Sequence, residues 1–301
     1  MKKFTLLLMS FLMVTSLAFA QKKLCVHKLD GTKLEVLASE VSYIDFEDAT
    51  TKPDDDPVAP ETGGFVAQPF SVSATKTVTF SPGNLQYHPA NNEWRFAPSQ
   101  TDYIGEANEN ISSTYNGWID LFGWGTGNKP TNTSTDYNDY HTFVDWGVNK
   151  IGSDAPNRWR TLTEDEWFYL RWERPNYDKL IGVAQVNGVN GLILLPDDWT
   201  CPSGVTFKPG FDDYLCTECY GNYQTFSTSG WSKLKASGAV FFPAAGRRDG
   251  SDVNYVYFGN YWSATEDGYD HDARCLGFYS GEARMGSGSR DGGQSVRLVQ
   301  D

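Results

Sequence analysis

Two groups of residues in this chain have types and spacings that can do chemistry. Cys216-Thr217-Glu218-Cys219 has the spacing of a redox centre or of half a zinc site. A redox pair of this kind normally opens a helix, whose positive N-terminus lowers a thiol pKa. Here the flanks, "FDDYLCTECYGNY", are acidic and loop-like and would raise it. Zinc needs a second ligand pair, and the histidines at 27, 88, 141 and 271 show no i, i+4 or Cys-x-x-His spacing that supplies one. The pattern therefore predicts a disulfide drawn from Cys201, Cys216 and Cys219, or plain loop thiols, and neither a metal nor another cofactor. The second group, Asp267, Asp270 and Asp272, reads as contact residues or solvated charge ahead of an ion cage.

Elements that must position these groups are read from the rest of the chain. Met1-Lys2-Lys3, the apolar run Phe4 to Phe19 and the small-x-small ending Ala18-Phe19-Ala20 predict a Sec signal peptide over 1–20, cut before Gln21. Export to the cell surface, the outer membrane or the medium follows, and no later run is long enough for a membrane span. Loss of Lys2 and Lys3 takes the formal charge from -13 to -15. Such an acidic chain is a poor partner for nucleic acid, where Lys and Arg supply most of the affinity. In an oxidising compartment the five cysteines leave at least one thiol unpaired within the chain.

Residues 21–47 predict a small β segment: Leu24 to His27 and Lys33 to Leu37 flank the turn dipeptide Asp30-Gly31, and Val41 to Phe46 would add a third strand. Residues 48–63 are acidic and Pro-rich, a solvated linker. From 64 to 301 the pattern is α+β: short strands, long aromatic-rich loops and few helices. Thr163 and Glu166 form a capping box that opens one helix, and Pro175 stops it. A shorter helix is expected around Trp231 to Lys235. "GLILLP" and "GAVFFPAAG" are continuous apolar runs that suit fully buried strands. Trp118, Trp124, Trp146 and Trp159 sit in Gly-rich segments, either as props for long loops or as an aromatic carbohydrate platform.

Taken in order, "WRTLTEDEWFYL", "FFPAAGRRDG", "GNYWSAT" and "SVRLV" resemble a known superfamily. The first is similar to the "R-L-P-T-E-A-E-W" helix entry of formylglycine-generating enzymes, and the others are similar to a paralogous surface-protein domain of Fibrobacter and Bacteroidetes. The resemblance covers about Phe65 to Asp301 and implies a C-type-lectin-like fold, in which Trp167, Trp262, Phe278 and Arg297 would be scaffold. It does not imply catalysis: the enzymes use a cysteine pair in this part of the fold, and only Cys275 stands here. Nor are the Glu-Pro-Asn, Gln-Pro-Asp or Trp-Asn-Asp motifs of calcium-dependent lectins present.

The C-terminal region, about 246–293, resembles the target segment of a diversity-generating retroelement. In such proteins error-prone copying of adenines leaves Asn-type codons able to specify many residues but never Lys, Glu, Gln, Met or Trp. From Arg248 to Gly293 that excluded set is represented only by Trp262, Glu266, Glu282 and Met285. The resemblance implies that Arg248, Asp252, Asn254, Tyr255, Tyr257, Asp267, Gly268, Tyr269, Asp270, His271, Asp272, Cys275, Gly277, Tyr279, Arg284, Gly286, Ser287, Gly288, Ser289, Asp291 and Gly292 are exchangeable ligand contacts. Gly250, Gly259, Tyr261 to Ser263, Leu276, Phe278, Gly281, Gly293 and Val296 to Val299 would be the fixed frame. Tyr, Ser, Gly, Asn and Asp dominate the exchangeable set, as in antibody loops, and Tyr and Arg are the expected anchors. The expected partner is a protein or glycan on another cell or a phage. A fixed adhesin or carbohydrate module with ordinary polar loops is the alternative, and a formylglycine-generating type of enzyme the third.

Overall fold

The computed structural model describes residues 23–27, 33–37, 67–211, 223–254, 257–269 and 271–301. The chain divides into two compact units, Met1–Pro57 and Val58–Asp301. In the first, β1 (Lys23–His27) and β2 (Lys33–Leu37) pair antiparallel with Leu24 opposite Val36. The signal peptide, the third strand expected at 41–46, and the linker lie outside the described residues.

The second unit contains β3 (Phe70–Ser71), β4 (Thr77–Phe80), β5 (Leu85–His88), β6 (Glu93–Phe96) and the short helix α1 (Glu164–Phe168). There follow β7 (Ile181–Val186), β8 (Val189–Leu194), β9 (Gln224–Phe226), α2 (Thr228–Ala236) and β10 (Val240–Pro243). The last part is all strand: β11 (Arg247–Asp249), β12 (Asp252–Asn254), β13 (Gly259–Glu266), β14 (Asp272–Tyr279), β15 (Glu282–Ser289) and β16 (Val299–Gln300). Its sheets are small: β10-β8-β7-β9, β13-β14-β15, β16-β4-β3 and the pairs β5-β6 and β11-β12. The architecture is thus mixed, loop-rich and poor in helix. No helix among the described residues is long and apolar enough to cross a membrane.

The local chemistry of α1 follows from its N-terminus. Thr163 Oγ1 accepts from the Glu166 N–H at 3.3 Å, and Glu166 Oε2 accepts from the Thr163 N–H at 3.0 Å, which satisfies two donors that a helix start leaves open. The helix loosens into a π turn over Tyr169–Glu173 and stops before Pro175. Arg174 then ties that end down: its guanidinium donates to the carbonyls of Leu170, Leu195 and Leu180 and pairs with Asp197 at 3.2 Å.

Three apolar clusters share the core, and the β8 run explains why two of them touch. Leu192 and Leu194 face a cluster with Phe80, Trp167, Phe242 and Phe278, while Ile193 and Leu195 face one with Trp231 and Phe241. A strand covered on both faces reads as an unbroken apolar run. The third cluster packs Trp94, Phe122, Trp124, Trp146 and Trp262 beneath the long loops. Trp124, Trp146 and Trp159 are buried, and the guanidinium of Arg95 lies over the Trp118 ring at 3.6 Å. These tryptophans therefore prop the loops, and the carbohydrate platform considered for them is not formed.

Asp120 is fully buried in this core, accepting from the Asn108 side-chain amide and the Ile104 N–H, each at 2.9 Å. Burial raises its pKa from 3.8 to about 6. The folded chain therefore keeps a proton on Asp120 that the unfolded chain releases near pH 4, so this group favours folding less as pH climbs from 4 to 6. Comparing thermal midpoints of the chain and its Asp120→Asn variant at several pH values checks this. The advantage of the parent over the variant should shrink between pH 4 and pH 6; a constant or growing advantage would contradict it.

Candidate ligand-binding face

The sheet β13-β14-β15 carries the site, and its register decides which side chains share a face. Trp262 stands opposite Cys275 and Asn260 opposite Gly277; across the other ladder, Cys275, Gly277 and Tyr279 stand opposite Gly286, Arg284 and Glu282. Side chains alternate between the faces of a strand, so Asn260, Trp262, Cys275, Gly277, Tyr279, Glu282, Arg284 and Gly286 all project from one face. Trp262 and Cys275, at one end, are covered by the tryptophan-rich cluster. At the other end the sheet lies open and forms the floor of a basin of about 270 Å³, walled by Arg247, Phe258, Tyr279, Glu282 and Arg284. The Phe258 and Tyr279 rings meet edge to face at 5.3 Å.

Charge at the rim is paired but exposed. Arg247 Nε lies 3.0 Å from Asp249 and Arg284 Nε 3.4 Å from Glu282. Ion pairs of this exposure contribute at most about 1 kcal/mol, so a ligand carboxylate can displace either partner at small cost. The volume is below the ~300–1,000 Å³ of pockets that enclose a small molecule. Its size suits one or two side chains projecting from a larger partner.

A second polar hollow adjoins the β13–β14 connection, lined by Tyr137, Asn138, His141, Glu266, Asp267, Gly268 and Arg290. The Tyr137 ring lies 5.8 Å from His271, which lies 6.4 Å from Tyr269. Tyr269 is 68% exposed, the most exposed of the large aromatic side chains described.

The predicted contacts therefore separate. Asp252, Asn254, Tyr257, Gly268, Tyr269, His271, Arg284, Ser287 and Ser289 are exposed. Gly277, Tyr279 and Gly286 line the basin, while Asp272 and Asp291 are half-buried. Tyr255, Asp270, Cys216 and Cys219 lie outside the described residues.

Four expectations are corrected. Arg248 is fully buried: β11 alternates, with Arg247 and Asp249 outward and Arg248 inward, bridged to Gly293 by backbone bonds of 2.8 and 2.7 Å and donating to the Gly250 carbonyl. It belongs to the frame, and its neighbour Arg247 takes the surface role. Cys275 is 4% exposed and reaches the basin only as part of its floor, and burial pushes its thiol pKa up to about 12, so it is not a reactive thiolate. Asp267 is 8% exposed and turns inward to accept from the Gly268 N–H and the Ser287 hydroxyl and to pair with Arg274. Gly292 closes a tight turn, its N–H donating to the Ser289 carbonyl at 2.9 Å. Of the two alternatives drawn for Cys201, a disulfide or a plain loop thiol, it takes the second, being an exposed free thiol.

Trp167, Trp262, Phe278 and Arg297 are each about 1% exposed. Arg297 donates to Gln100 Oε1 at 2.9 Å and Asn84 Oδ1 at 3.2 Å, and Asn84 donates in turn to the Tyr261 hydroxyl. This network fixes the far side of β13. Among the described residues no group of three His, Cys, Asp or Glu side chains could hold a metal.

The glycines sort the same way. A β-carbon at Gly268 or Gly286 would meet no heavy atom within 4 Å, and one at Gly277 would come no nearer than 3.7 Å to Asn260. At Gly259 it would lie 1.9 Å from the Phe278 ring, and at Gly293 2.9 Å from the Leu121 carbonyl oxygen. At Gly288 it would meet the end of the flexible Gln294 side chain at 2.3 Å, which can swing aside.

Arg247, Phe258, Asn260, Glu282, Tyr137 and His141 were absent from the sequence-derived set. Strand parity at 247–249 could have found Arg247; nothing local links the 137–141 loop to the β13–β14 turn. No protein-family model matches the chain, and no curated protein or solved structure matches it.

Proposed function

We propose that the chain is an exported ligand-binding protein of the C-type-lectin-like class, without bond-making chemistry, whose C-terminal face is diversified by a retroelement. The observation that carries this reading is the division of glycines. Those at exchangeable positions 268, 277 and 286 have room for a β-carbon, whereas Gly259 and Gly293 of the frame have none. A glycine in a strand costs stability relative to other residues, so Gly277 and Gly286 are not explained by folding. They are explained if their side chains are free to change with the ligand. Trp262 and Met285, two residues of the kind that adenine copying cannot create, are anchored in or against the core. The order of motifs along the chain, and a mixed architecture poor in helix, support the lectin-like class.

The decisive test is the DNA beside the gene. An adenine-rich near-copy of the segment encoding about 246–293, mismatched at the exposed positions and adjacent to a reverse transcriptase, is the expected result. Its absence overturns diversification and leaves a fixed adhesin. At the protein, exchanging Tyr269, His271 or Tyr279 should alter ligand choice while costing under about 0.5 kcal/mol of stability; calorimetric melting beside binding assays reads both.

A glycan is the second reading of the ligand, favoured by the exposed rings of Tyr137, His271 and Tyr269 beside a polar hollow.

A further inference from the structure

β15 is an edge strand, paired to β14 on one side only. Tyr279 and Glu282 flank a two-residue connection, and at the far end the Arg290 N–H donates to the His271 carbonyl at 2.9 Å. Both fix the parity of the ladder. The backbones of Glu282, Arg284, Gly286 and Gly288 point toward β14, and those of Ala283, Met285, Ser287 and Ser289 point away. The Ala283 carbonyl accepts from Arg171 Nε and the Ser289 carbonyl from the Gly292 N–H. Met285 and Ser287, between these stops, make no backbone hydrogen bond on the outer side among the described residues.

Natural sheets blunt such edges with proline, lysine, bulges or short strands. β15 has eight residues, neither proline nor lysine, and an unbroken register. On the opposite edge of the same sheet, β13 has a shifted register between Trp262 and Glu266 and is bridged to Ser295. One edge is protected and the other is left open beside the basin.

Resting on the ligand-binding reading above, we propose that the ligand is a protein that adds an extended segment to β15, hydrogen-bonding Met285 and Ser287 and placing an acidic side chain over Arg284. A face whose side chains are exchanged requires an anchor that survives exchange. Backbone N–H and C=O groups do, because every residue but proline has both. Arg284 is 70% exposed on the basin face and shares the rim with Arg247, so an acidic residue one position along the added strand meets guanidinium donors. Affinity then comes from the ladder and specificity from the alternate side chains, as in strand addition generally.

The test begins by selecting random ten-residue peptides, displayed on phage, against the immobilised chain. Each selected peptide is resynthesised with N-methyl groups at single alternate positions. Methylation at one parity is expected to weaken binding at least about tenfold, and at the other parity less than about twofold, because only alternate N–H groups face the edge. Ser287→Pro should weaken binding by a similar factor relative to Ser287→Ala, which loses the same hydroxyl bond to Asp267, and should melt near that variant, since the Ser287 N–H points outward. If methylation at both parities is harmless while Tyr279→Ala abolishes binding, the edge inference is overturned and the side-chain face stands. The same holds if no peptide is recovered while the chain binds a glycan array. Failure to bind either class overturns both.

Discussion

Trp262→Ala is expected to cost about 3–5 kcal/mol, the range for deleting a buried tryptophan. Its indole is 1% exposed within the loop-side cluster, and its N–H donates to the Phe122 carbonyl at 2.7 Å. Truncation opens a cavity and leaves that carbonyl without its partner, and the two losses add. At about 2–4 °C per kcal/mol for a unit of this size, the melting temperature should fall by roughly 6–20 °C. The site should suffer as well, because Trp262 covers one end of the same face whose other end is the basin. A loss under about 1 kcal/mol by calorimetry would contradict a packed frame at this position.

Gly259→Val and Gly286→Val should part sharply although both add the same three carbons to strands of one sheet. At Gly259 the first added carbon would lie 1.9 Å from the Phe278 ring, and that ring is itself buried against Tyr261, stacked with centroids 5.9 Å apart. Neither the ring nor the strand can yield without moving the core, so a cost at or above the ~1–3 kcal/mol typical of overpacking is expected. At Gly286 the space is empty, and valine suits an extended backbone better than glycine. That variant should melt within about 2 °C of the parent, or above it, while losing any ligand seated on the basin floor. Thermal melts of the two variants side by side check the pair. Equal destabilisation would remove the distinction between frame and face.

Much of the local structure was legible in the sequence because its causes are local. The capping box at Thr163 and Glu166, the pairing of β1 with β2 and the buried "GLILLP" strand each depend on residues close together in the chain. What the sequence concealed depends on pairings between distant segments. Arg248 and Arg247 look equivalent until β11 pairs with β12 and sets which of them faces inward. Cys275 looks like any residue of a polar strand until Trp262 is placed opposite it. Composition separated crowded glycines from open ones at 259, 293, 277 and 286; at Gly288 and Gly292 the atoms nearest an added β-carbon are the end of the Gln294 side chain at 2.3 Å and the Ser289 carbonyl oxygen at 3.1 Å, and whether these yield decides the outcome. The loop carrying Tyr137 and His141 reaches the β13–β14 turn across more than a hundred residues, and no local pattern announces that contact.

Asp120 shows the same division at the level of charge. Nothing in "NGWIDLFGW" marks its aspartate as buried, yet enclosure makes it the one described carboxyl with a pKa shifted up to about 6, against the lowering effect of the two hydrogen bonds donated to it.

The central claim, a fixed frame carrying an exchangeable face, is tested most directly by saturation mutagenesis of 248–293 with a folding-sensitive display readout. Gly259, Trp262, Phe278, Gly293 and the buried Arg248 should reject nearly every substitution, while Tyr269, His271, Gly277, Tyr279, Arg284, Gly286 and Ser287 should accept nearly all. Uniform tolerance, or intolerance at the second group equal to the first, would contradict the account.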